Sequence, residues 1–192
     1  MSVLDEAPLV HADDRATWRA WLEANHASAT GAWLVTWRPS SGHPTLDYEG
    51  AIEEALCFGW VDSTGGTVDA QRGKLYFAPR KPRSVWAATN KARVERLIRD
   101  GRMAPAGLAA IERAKANGWW EILDAPGRLE VPADLAAALA GLPGAAANFA
   151  AFPASARKMA LSWVAIAIRP ETRAARITKV AEGASRNERL GG

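Results

Sequence analysis

Two hydrophobic periods share this chain of 192 residues. Trp18, Trp21, Leu22 and Asn25 recur at helical spacing behind Asp13 and Asp14, either of which suits an N-cap. That spacing predicts a helix ending near His26. Ala32 to Arg38 (Ala-Trp-Leu-Val-Thr-Trp-Arg) is short and β-rich, and Pro39, Ser40, Ser41 and Gly42 close it as a strand. Behind Asp47, the residues Tyr48, Ala51, Ile52, Ala55 and Leu56 make one apolar stripe of a second helix. Glu49, Glu53 and Glu54 are expected to face water, and Gly59 fits its C′ position. Trp60 to Ser63 and Lys74 to Ala78 then read as two strands of a hairpin, with Thr64-Gly65-Gly66 as a turn or bulge.

Helical patterns fill the rest. Ser84 is expected to cap a helix reaching Asp100, with Trp86, Asn90, Val94 and Leu97 on one face. Pro105 starts another, with Leu108 and Ile111 as its core stripe and Asn117-Gly118 as its stop. Pro132 opens a short helix to Gly141. Ala154 or Ser155 begins a stronger one that buries Met159, Ala160, Trp163, Val164, Ile166 and Ala167. Pro170 starts the last, with Ile177 and Val180 inward and a frayed polar tail from Ser185. The order predicts an α+β fold: a small three-stranded sheet near the N-terminus and a mostly helical C-terminal half. The expected division is an α/β subdomain over 1–79 and a helical one over 80–192, making one compact unit.

Composition narrows the class. One cysteine, Cys57, excludes an internal disulfide framework, and three scattered histidines give no zinc-ligand spacing. The first residues lack a basic stretch followed by an apolar one, so a cytoplasmic location is expected. Leu135 to Ala156 carries no charge, yet Pro143 and Pro153 interrupt it, which favours a pair of short buried helices over a membrane span. Charge is unevenly spread. Residues 1–62 hold ten acidic and three basic side chains, and the remainder holds eleven acidic and twenty-one basic. Such a split offers a basic face to anions, or simply solvated helix faces.

Candidate chemistry gathers between Ala55 and Asn90. Trp60, Tyr76 and Trp86 are expected as pocket walls, with Asp62, Ser63, Arg80, Ser84 and Asn90 as polar contacts. Arg80, Lys81 and Arg83 are expected just ahead of a helix N-terminus, where free N–H groups and the dipole favour a small anionic ligand. Arg80 and Arg83 paired with the acidic N-terminal surface is the competing reading. Cys57 lies between Leu56 and Phe58, as a small core residue would. No nucleotide-loop, catalytic, cofactor or nucleic-acid motif is present, so no catalytic residue, metal or cofactor is assigned.

Glu54-Ala-Leu-Cys-Phe-Gly-Trp-Val-Asp-Ser63, Phe77-Ala-Pro-Arg-Lys-Pro-Arg-Ser-Val-Trp86 and Asn90-Lys-Ala-Arg-Val-Glu-Arg-Leu-Ile98 resemble the bacterial YdeI/OmpD-associated family. Gly101-Arg-Met-Ala-Pro-Ala-Gly107 and Pro170-Glu-Thr-Arg-Ala-Ala-Arg-Ile177 do so as well. The resemblance implies a bacteriocin-protection protein, linked to tolerance of cationic antimicrobial peptides, with an outer-membrane porin as partner. It brings no catalytic residues. Three readings follow: a non-enzymatic binding or stress-protection protein; an enzyme acting on a small anionic metabolite, with Asp62 as base and Arg80 as anion clamp; and a binder of anionic surfaces.

Overall fold

The computed structural model describes residues 3–190. They form two compact units. The first runs to Ser84 and resumes from Thr89 to Asn117; the second takes Val85–Ala88 and the chain from Gly118 onward.

The first unit is built on a sheet. In chain order it contains α1 (Val3–Glu6), β1 (Leu9–His11), α2 (Arg15–Asn25), β2 (Ala32–Trp37), α3 (Tyr48–Cys57), β3 (Trp60–Thr67) and β4 (Arg72–Pro79). The helices α4 (Ala88–Arg99) and α5 (Pro105–Ala116) follow. The sheet has four strands in the order β1-β2-β4-β3, not the three expected. The additional strand is β1, which pairs in parallel with β2 through Leu9↔Trp33, Val10↔Leu34 and His11↔Val35. Three residues are too few to show a period, and only Val10 turns into the core. The β3–β4 hairpin forms, but its strands extend to Thr67 and back from Arg72, past the Ser63 and Lys74 expected, and Thr64-Gly65-Gly66 lies within β3 at a bulge-like register shift between Asp62 and Gly65.

Local chemistry sets the helix ends. Asp14 accepts from the Thr17 N–H at 2.7 Å, and Asp47 accepts from the Gly50 N–H at 2.7 Å, so α2 and α3 start where their caps stand. Gly59 takes φ +73° and turns α3 directly into β3. Across the core, Trp18 donates its indole N–H to Ala51 O at 3.1 Å and lies 5.4 Å from the Phe77 ring. One sheet face is thereby closed by α2 and α3.

Several expectations shift. Helix α4 starts at Ala88, not beside Ser84. Ser84 instead donates its backbone N–H to Lys81 O at 2.9 Å in a turn around Pro82, so Arg80, Lys81 and Arg83 do not abut a helix N-terminus. On α5 the buried positions are Gly107, Ala110, Ile111 and Ala114, and Leu108 is exposed.

The second unit is helical: α6 (Asp124–Gly127), α7 (Ala133–Ala140), α8 (Ala145–Ala151), α9 (Ala154–Ala165) and α10 (Pro170–Ser185). Leu135, Leu139, Phe149, Leu161, Val164 and Val180 centre its core. Met159 is exposed rather than buried, and Trp163, Ile166 and Ala167 are half-buried. The uncharged stretch from Leu135 does become two short helices, and among the described residues no helix is long and apolar enough to cross a membrane. Where a frayed tail was expected from Ser185, the chain as far as Leu190 turns back through a Schellman motif, and Gly191 and Gly192 of that tail lie outside the described residues. Asn187 sits at φ +58°, its N–H reaches Ala184 O at 3.0 Å, and the Glu188 N–H reaches Gly183 O at 2.8 Å. Leu190 then packs against the core.

Candidate functional site

Four of the eight expected pocket residues come together. Trp60 and Asp62 lie two apart on β3, so both face the helices, and Asp62 stands opposite Phe77 in the register. Arg80 follows the end of β4 and donates its backbone N–H to Gly59 O at 2.9 Å. Asn90 comes from the first turn of α4. With Ile52, Ala55 and Leu56 of α3, these residues surround a space with no room for a water molecule.

The polar groups there are held by α3. Tyr48 donates its hydroxyl to Asp62 Oδ2 at 3.1 Å. Asn90 Oδ1 accepts from Arg93 Nη1 at 2.7 Å, and Arg93 grips Glu49 with Nε at 2.9 Å and Nη2 at 2.6 Å. Arg80 is 6% exposed. Burial pushes its guanidinium down to about 10, with Asp62 opposing that shift, so it keeps its charge near neutral pH. Burial also raises the Tyr48 hydroxyl, and the Asp62 charge adds to the rise.

Three of the others, Ser63, Tyr76 and Ser84, stand apart from this cluster within the first unit. Ser63 is exposed at the bulge. Tyr76 neighbours Phe77 on β4 and so projects to the opposite sheet face, where its ring meets Trp33 edge-on at 5.2 Å. Ser84 sits in the turn already described. Trp86 belongs to the second unit and tilts against Trp120 at 4.9 Å.

The largest concentration of charge was expected to be solvated surface. Every residue of α3 from Gly50 to Cys57 is buried, including Glu53 at 3% and Glu54 at 2% exposure. Arg15 Nη1 reaches Glu53 Oε2 at 2.5 Å, Arg102 Nη1 reaches the same oxygen at 3.2 Å, and Arg96 pairs with Glu53 Oε1. Glu54 is held by Arg19 at 3.0 Å and by Arg102. Burial pushes Glu53 up, but the Arg96 and Arg15 hydrogen bonds outweigh it and hold the carboxyl below its ordinary range. Glu49 is held below that range by the Arg93 hydrogen bond. Much of the uneven charge along the sequence is therefore neutralised internally, acidic α3 against arginines before and after it. Arg15 with Arg19, and Arg93 with Arg96, stand at the i,i+4 and i,i+3 spacings that put two arginines on one helix face, and that was the available signal.

The second unit has its own recess, of about 500 Å³. Phe149, Phe152, Ala156, Ala160 and Val180 line its apolar part, and Lys179, Arg186, Glu188 and Arg189 line its mouth. Among the described residues, no group of three or more histidine, cysteine, aspartate or glutamate side chains could hold a metal ion.

Comparison with known proteins divides the chain in a similar place. No curated protein and no solved structure matches it. Residues 10–110 match a family described as a domain of unknown function, DUF8412, and residues 128–187 match the family described as Bacteriocin-protection, YdeI or OmpD-Associated. Of the segments that carried the resemblance, Pro170 to Ile177 lies in the second match and those from Glu54 to Gly107 lie in the first. The chain thus belongs to the DUF8412 family, whose model spans more than half of it, and its residues 128–187 carry a match to the Bacteriocin-protection, YdeI or OmpD-Associated domain.

Proposed function

We propose that this protein is a non-enzymatic binding protein acting in tolerance of cationic, bacteriocin-type peptides. The observation that carries this reading is the family match over residues 128–187 and the protection its description states. The charge around the recess in those helices shapes the reading. Three cations and one carboxylate stand at its mouth, so a cationic peptide is repelled there. Protection then works at one remove, through a bound partner or ligand of opposite charge. A porin partner rests on the family description alone.

The test is survival of a gene-deletion strain, with and without the restored gene, under a panel of cationic peptides. Lower survival that the restored gene corrects is expected. Unchanged survival across the panel overturns the reading.

A second reading, an enzyme acting on a small anionic metabolite, draws on Arg80, a buried cation beside Asp62. It requires the closed space around them to open when ligand arrives. Thermal-shift screening with small carboxylates and phosphates, repeated with Asp62→Asn and Asn90→Ala, tests it. A ligand-induced rise that both variants lose supports it, and no rise with any anion removes it.

A further inference from the structure

We infer that the recess of the second unit holds a single-chain anionic amphiphile, a fatty-carboxylate-type ligand. The inference stands whether or not the protein protects against peptides. Its tail would lie on Phe149, Phe152 and Val180, with Ala156 and Ala160 leaving the depth for it. Its head would meet Lys179, Arg186 and Arg189.

Size comes first. The recess, about 500 Å³, falls in the range of roughly 300–1,000 Å³ in which small-ligand sites are found. Phe149 and Phe152 meet edge-on with centroids 6.1 Å apart, and both rings are buried. They give a wall that gains by excluding water from a hydrocarbon chain.

Charge then selects the head. The C-terminal end of α10 is itself weakly negative, which alone would disfavour an anion. The Schellman motif meets part of that charge with the Asn187 and Glu188 N–H groups. Arg186 uses Nε on Glu188 at 2.9 Å, which neutralises the one carboxylate at the mouth. Lys179 makes only a long cation–π approach to Trp163, 5.9 Å from its centroid. Arg189 forms no ion pair among the described residues. Two uncommitted cations beside an apolar recess fit a carboxylate with a hydrocarbon tail. A nucleic acid has no such tail, and a cationic amphiphile meets like charge.

Calorimetric titration of the whole chain with dodecanoate below its micelle concentration tests the inference, with dodecyltrimethylammonium as the opposite-charge control. Saturable one-to-one binding of dodecanoate is expected, with none of the ammonium compound. The double variant Lys179→Ala, Arg189→Ala should weaken binding at least tenfold, and Ala156→Phe, which fills the recess, should abolish it. Circular dichroism verifies that each variant is folded. No saturable binding of dodecanoate overturns the inference, as does equal binding of the ammonium compound. Full binding by the folded charge variant overturns it too, so the outcome does not depend on Ala156→Phe folding.

Discussion

Arg102 Nη1 lies 3.2 Å from Glu53 Oε2, and the same guanidinium also pairs with Glu54, so one arginine serves two adjacent buried carboxylates. Adjacent residues on a helix point about 100° apart, and only a planar fork with several donors reaches both. Truncating Arg102 leaves Glu53 to Arg15 and Arg96, and leaves Glu54 to Arg19 alone. Arg102→Met is expected to destabilise the first unit by about 3 kcal/mol, the lower end for breaking a buried pair, because the remaining arginines partly compensate. Urea unfolding measures it. A loss no larger than an ordinary surface substitution, within about 0.5 kcal/mol, contradicts this assignment.

Acid should weaken the same network. Glu49 and Glu53 are both held below the ordinary glutamate value of 4.5. A carboxyl whose folded pKa is depressed adds stability above its unfolded value and loses it as pH falls through the folded one. Unfolding free energy should therefore be level near neutrality and fall progressively below about pH 4.5. In Glu49→Gln, one proton-uptake site is gone and the fall should be shallower. Equal slopes for the two proteins would count against the Arg93–Glu49 contribution.

Gly107 tests how closely α5 approaches α3. A Cβ at this position would stand 2.2 Å from the Cys57 carbonyl oxygen and 2.7 Å from Met103 Cε. The backbone contact cannot yield without moving a helix. Gly107→Ala is expected to cost about 1–3 kcal/mol as overpacking, despite alanine's better helix propensity. Gly127, with nothing within 4 Å of its Cβ position, is the control. Gly127→Ala should be neutral or stabilise by up to about 1 kcal/mol. Chemical denaturation of both variants decides between packing and propensity.

Legibility in the sequence followed how local each determinant was. Asp14, Asp47 and Gly59 act on their own turns, and the elements they bound lie where local chemistry puts them. β1 depends on β2, twenty-odd residues away, and three residues of pattern could not announce it. The burial of Glu53 and Glu54 depends on four arginines drawn from α2, α4 and the loop before α5. A helix wheel for α3 alone makes them surface. Asp62, Arg80 and Asn90 were legible as a polar set. Their closure against Ile52 and Leu56 is a matter of side-chain volume, which spacing does not report.

The return of the chain to the first unit after Ala88 gives the molecule an awkward seam. Val85–Ala88 is grouped with the second unit, and Trp86 tilts there against Trp120, yet both flanks of that segment are grouped with the first. No single cut of the polypeptide separates the two. A gene fusion or recombination joint placed before Gly118 would deliver the later helices without the tryptophan that covers Trp120, and would leave that tryptophan behind on the other piece. Transplanting the later module into another protein calls for a graft of four residues along with it.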